Sequence, residues 1–221
     1  MRTTPCPRSF LSASMLAVVL AAASGPAKAG RPLSVDDANT NDAGAGHVEM
    51  WVSRAPGSTV LNVAPAYAPV DGLEFGVAAS RDTSSKVTVG TVQLKWRITP
   101  SQEVGCNLGT SLGASRVSDG GGHLRFLNGL ASCNFGGQGS VHLNLGVVKP
   151  SGDASVKTWG VAYERELGPV TPHLEFFGEK GAKPTAQVGL RGKLSEAWQL
   201  DGTVGRSDGE TLYSLGVKFQ F

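Results

Sequence analysis

The chain has 221 residues, with 20 Lys+Arg against 18 Asp+Glu and a formal net charge of +2. Its 40% apolar content and 17% charge exclude a disordered protein, and 30 glycines are too many for an ordinary helical one. A β-rich chain with a single domain is the class that remains.

Residues 1–29 open with Arg2 and Arg8, run through the apolar stretch FLSASMLAVVLAAA and close on the small-residue site Ala27-Lys28-Ala29. This is the pattern of a secretory signal peptide. The apolar core is about 14 residues, short of the roughly 20 that a spanning helix needs, and no later stretch approaches that length. Cleavage removes Arg2, Arg8 and Lys28, which leaves 17 basic residues against 18 acidic ones and excludes nucleic acid as a partner. Cys6 leaves as well, so that Cys106 and Cys133 remain, in an oxidising compartment.

Residues 30–45 form a polar lead-in, expected on the periplasmic side of the first strand. Asp37, Asn39 and Asn41 alternate as the first ligands of a calcium loop do, but the sixth position is Asp42 instead of glycine and the twelfth is Val48. Side chains making local turns are the simpler reading, and neither a metal nor a cofactor is expected.

From residue 46 to 221 the apolar period is two, with no comparable helical stretch. Twelve strands are predicted, over 46–54, 58–67, 71–81, 87–98, 103–116, 123–135, 139–149, 154–166, 170–179, 184–194, 197–206 and 210–221. The links between them, such as APGS, DTSS, SDGGG and PSGD, are short turn formers, so consecutive strands should pair as hairpins. In the last strand Tyr213, Leu215, Val217, Phe219 and Phe221 share one face, and Ser214, Gly216, Lys218 and Gln220 the other. Val141, Leu143, Leu145 and Val147 oppose His142, Asn144 and Gly146 in the same way.

A soluble sandwich would also alternate, with the apolar face turned inward. The even strand count, the aromatics near strand ends and the closing strand YSLGVKFQF favour the inverse arrangement, apolar outside and polar inside. In hydrocarbon every backbone N–H and C=O must be paired, which forbids an open edge. The expectation is an all-β, membrane-spanning, antiparallel up-and-down β-barrel of about 12 strands. Glycines on the inward face would leave room for larger lumen side chains.

If the turn after the fifth strand closes symmetrically, residues whose numbers sum to 239 face each other, Cys106 and Cys133 among them. A cross-strand disulfide and two free thiols acting as small apolar residues are both open. The inward face carries Glu49, Glu74, Lys95, Arg97, His142, Glu164, Glu166, Glu175, Arg191, Lys193, Asp201 and Lys218. Such charges either brace one another or select a solute, and 12 strands stand between a filled barrel and an aqueous channel. The histidines are scattered and no nucleophile elbow or zinc spacing is present, so no enzyme is expected.

Arg31, Pro32, Leu33, Asp36, Asp37, Ala38, Thr40, Gly46 and Glu49, in RPLSVDDANTNDAGAGHVEM, resemble the opening of an outer-membrane family named for the meta-pathway of phenol degradation. Val35 stands where that family commonly has threonine. The resemblance implies an outer-membrane barrel of Gram-negative bacteria, often labelled a transporter. The terminal strand likewise resembles those by which the barrel-assembly machinery recognises its clients, with Tyr213, Phe219 and Phe221 as the signal. Outer-membrane lipid and a small solute are the other partners expected. A narrow passive channel or facilitator for small compounds, hydrophobic ones included, leads, ahead of a closed structural or surface-interaction barrel and a soluble periplasmic sandwich. In the leading reading Asp36 and Asp37 tuck near Lys95 and Arg97.

Overall fold

A computed structural model describes residues 33–118 and 120–221. The signal peptide 1–29, Gly30 and the motif residues Arg31 and Pro32 lie outside the described residues. Twelve strands follow in order: β1 (Gly46–Ala55), β2 (Ser58–Val70), β3 (Leu73–Asp82), β4 (Thr88–Arg97), β5 (Gly105–Val117) and β6 (His123–Asn134), then β7 (Ser140–Pro150), β8 (Val156–Glu164), β9 (Val170–Glu179), β10 (Thr185–Lys193), β11 (Trp198–Ser207) and β12 (Glu210–Gln220). Each pairs antiparallel with its sequence neighbours, and β1 pairs with β12 to close the barrel.

Closure is made by eight register pairs from His47↔Gln220 to Arg54↔Tyr213. Beyond the last pair, Phe221 exchanges backbone hydrogen bonds with Gly46 at 2.8 and 2.9 Å. A Cβ on Gly46 would meet the Phe221 ring at 2.8 Å and the Ala66 carbonyl at 2.7 Å, so the seam needs glycine there. We call the end holding Gly46 and Phe221 the terminal end and the opposite one the far end.

The usual order of burial is reversed. Phe75, Val92, Leu127, Leu145, Leu174, Val188, Leu190 and Leu215 are exposed on the outside, Leu145 at 73% and Leu215 at 70%. Lys95, Glu49 and Ser111 are among the most buried side chains of the molecule. Aromatics gather on the outer face of the terminal end, where the rings of Trp198 and Phe219 lie 4.8 Å apart and Phe219 stacks on Phe221. A continuous apolar exterior of this extent has no stable place in water.

Between β5 and β6 the pairs run from Gly105↔Asn134 to Arg116↔His123, each summing to 239. Cys106 and Cys133 are directly opposed at the terminal end and joined by a disulfide. The bond closes a loop over a sequence separation of 27. Cys106→Ala/Cys133→Ala is expected to lower stability by about 2–4 kcal/mol. A urea titration read by the heat-dependent gel mobility of the folded barrel checks this, with conductance unchanged because neither cysteine faces the lumen.

Candidate functional site: a lumen filled by residues 33–45

The lead-in does not stay outside the mouth. Residues 33–45 turn back from β1 into the barrel and cross its lumen, and Leu33, Val35, Asp36 and Ala38 are 1% exposed or less. Nothing in the polar composition of this segment forces a regular element, so its backbone groups are free to be claimed by the wall.

The wall claims them one by one. Glu74 of β3 accepts the Asn41 N–H at 2.8 Å, and Ser132 of β6 accepts that of Ala38 at 2.8 Å. Asn144 of β7 makes two bonds to the Asp36 backbone: its Oδ1 accepts the N–H and its Nδ2 donates to the C=O, both at 2.7 Å. That side-chain amide imitates one rung of a strand ladder. One carboxylate oxygen of Glu175 on β9 accepts from both Ser34 N–H at 2.5 Å and Val35 N–H at 2.7 Å. Its other oxygen accepts from Gln187 at 2.6 Å, which also reaches Ser34 Oγ at 3.1 Å.

Charge completes the anchoring. The Lys95 ammonium on β4, 1% exposed, lies 2.9 Å from Asp36 and 3.2 Å from Asp37. Arg97 turns elsewhere: it holds Asp71, in the β2–β3 turn, through both carboxylate oxygens at 2.6 Å. Of the two cations expected near the aspartates, Lys95 alone pairs with them, and Arg97 is engaged by Asp71 at the rim.

Two glycines make the space. A Cβ on Gly160 would stand 2.8 Å from Val35 Cγ2, and one on Gly109 would stand 2.9 Å from the Trp96 carbonyl and 3.1 Å from that of Ala38. At Gly109 the crowding atoms are backbone on both sides. Gly109→Ala is therefore expected to loosen the segment, at a cost of about 1–3 kcal/mol, and limited proteolysis should cut within 33–45 in that variant but not in the wild type.

The other inward groups brace the wall. Glu49 and Lys218 face each other across the β1–β12 seam, 3.7 Å apart, with His47 3.9 Å from Glu49. Glu164 takes both guanidinium nitrogens of Arg191 at 3.0 Å and lies 3.4 Å from His142. Asp201 is buried and paired in register with Arg191. Glu166 and Lys193 are not lumen groups. Glu166 lies two residues beyond the end of β8, where alternation no longer applies, and Lys193 is the exposed last residue of β10 at the rim.

Ser132, His142 and Glu164 stand in nucleophile, base and acid order, Ser132 Oγ being 2.8 Å from His142 Nδ1. Their duties here are different: the serine oxygen accepts the Ala38 N–H and the glutamate is held by Arg191. The side chains of Asp37, Asn39 and Asn41 are likewise engaged, with Lys95, Asn107 and His47 respectively. Among the described residues no three side chains are grouped as metal ligands.

Alternation puts Asn144 and Gln187 on the polar face, but neither they nor Ser132 stand out as site residues, because the charge pattern passes over uncharged side chains. Leu33 and Val35 stand out in the sequence only for the family motif, and their packing with Ala162 and Phe177 as a small apolar cluster inside the lumen is not foreseen there. Two apolar residues in an otherwise polar segment were the available signal.

Residues 17–213 match the profile of a family described as Uncharacterised conserved protein UCP029691. The chain belongs to that family. No curated protein matches it at a significant level. Among solved structures it is similar to the KdgM porin, at 16% identity over 79% of this chain and 99% of that one, with a TM-score of 0.68. It is similar also to the COG4313 outer membrane channel from Pseudomonas putida F1, at 12% identity over 84% and 98% with a TM-score of 0.62. A third is the NanC porin, at 8% identity over 79% and 98% with a TM-score of 0.63. The family member described here has the porin-like fold, a closed antiparallel barrel of 12 strands.

Proposed function

We propose that the protein is a narrow, passive outer-membrane channel for small solutes carrying an apolar part, held shut by residues 33–45 in the state described here. The terminal end then faces the periplasm. The apolar exterior and polar interior support the membrane placement, as does the signal-peptide pattern of residues 1–29.

The observation that carries the solute class is the seat of Leu33 and Val35 on Ala162 and Phe177. When the segment withdraws, it uncovers an apolar patch in an otherwise polar passage, and a small apolar moiety fits where the two side chains sat. The resemblance of the Arg31–Asp37 motif to the phenol meta-pathway family supports the same class. One KdgM structure is of the porin in complex with disordered oligogalacturonate, a polyanion. Here the lumen carboxylates Asp36, Asp37, Glu49, Glu74, Glu164, Glu175 and Asp201 outnumber Lys95, Arg97, Arg191 and Lys218, which disfavours a polyanion.

Liposome flux of small aromatic and sugar solutes through the refolded protein tests this. Faster entry of the aromatic solute in the wild type and in a barrel lacking residues 33–41 is the expected result. A barrel that conducts neither ions nor solutes even without the segment overturns this reading and is a structural barrel.

A further inference from the structure

On the outward positions of the strands, charge has one sign. Every acidic residue within the strands falls on the lumen-facing alternation: Glu49, Glu74, Asp82, Glu164, Glu175, Glu179, Asp201 and Glu210. The outward alternation carries basic residues instead, and within the strands these stand only toward the far end. On the four consecutive strands β5 to β8, with Lys180 just past the end of β9, they form one patch of Arg116, His123, Arg125, Lys149, Lys157 and Lys180, all exposed. At the terminal end the corresponding position holds only Arg165, just past β8.

The register brings these basic residues together. Arg116 pairs with His123 across β5–β6, and Arg125 pairs directly with Lys149 across β6–β7. Lys157 pairs with Val147, which sets it diagonally beside Lys149, and the Lys180 N–H donates to the Lys157 carbonyl. Directly opposed side chains stand about 5 Å apart at Cβ, and like charges there destabilise the sheet. Among the described residues no carboxylate is ion-paired with any of the six; Lys149 donates only to the backbone carbonyl of Asp153. Immediately below, on the same faces, come Leu127, Val147, Leu145, Val161 and Phe176, all exposed.

We propose that this patch docks the phosphorylated headgroup of an outer-leaflet lipid, with the acyl chains lying along the apolar wall beneath it. A multivalent phosphate supplies the negative charge that the strands lack, and the apolar face directly below selects a lipid over free phosphate. The inference rests on the membrane placement argued above but not on transport.

The test uses refolded full-length barrel in detergent micelles, with bisphosphorylated lipid A, its dephosphorylated form and inorganic pyrophosphate as probes, read by native mass spectrometry. The wild type is expected to retain the bisphosphorylated form and to lose most binding to the dephosphorylated one. Arg125→Gln/Lys149→Gln/Lys157→Gln is expected to bind the phosphorylated lipid about a hundredfold more weakly, from roughly fivefold per cation removed. Lys157→Gln alone gives the single step should the triple variant fail to fold, and the wild-type affinity should fall with rising salt. Equal binding of the two lipid forms, or of wild type and variants, overturns the proposal. So does pyrophosphate bound as tightly as the lipid, which would mark a soluble-anion site. A wild type that does not insert into liposomes overturns it too, by removing the membrane placement itself, whereas equal lipid binding leaves that placement standing.

Discussion

Deleting residues 33–41 is expected to raise the single-channel conductance of the refolded barrel severalfold while leaving the β1–β12 seam intact and the barrel resistant to unfolding by detergent. The wall makes its own ladder through 12 strand pairings, none of which involves the segment. What the segment supplies is obstruction: it occupies the passage from Asn41 beside Glu74 to Ser34 beside Glu175. The cost of removal is local, since Glu175, Asn144 and Lys95 lose their partners in the segment but regain water as the lumen floods. Planar-bilayer recording of wild type and deletion, side by side, measures this. Equal conductance would mean that the segment is not the obstruction.

The second large effect belongs to Lys95→Met. Asp36 is 1% exposed and has Lys95 as its cation. Removing one partner of a buried pair costs about 3–5 kcal/mol when the other charge stays in place. Asp36 need not stay, because the segment can leave the lumen. The expected outcome is therefore release rather than unfolding: protease cuts within 33–45, conductance approaches that of the deletion, and the barrel still shows heat-modifiable mobility. Asp36→Asn/Asp37→Asn/Lys95→Met removes the stranded charges together with the cation and should restore much of the protection. If the triple variant is cut as fast as Lys95→Met, the ion pair does not hold the segment.

The barrel was legible because its signal is repeated. Period-two alternation set between Gly- and Pro-rich turns places all 12 strands with ends within three residues of those observed, and the symmetry of one turn gives the β5–β6 register. Alternation says which face a residue is on, and nothing about what else shares the lumen. Residues 33–45 have no period, and their docking is read by single side chains from β3, β4, β6, β7, β9 and β10, which no local pattern connects. Glu166 shows the opposite failure: parity was carried past the point where the strand, and hence the parity, ends.

The bonds that fix the segment also order the events of folding. Asp36 meets Asn144 across 108 residues of chain, Val35 meets Glu175 across 140 and Ser34 meets Gln187 across 153. The segment at 33–41 thus has no place to bind until strands near the end of the sequence are set beside one another, and contacts so distant in sequence form late. A seated segment is in this sense a record that β7, β9 and β10 have already been assembled, and a half-built barrel leaves its first residues loose and open to proteases.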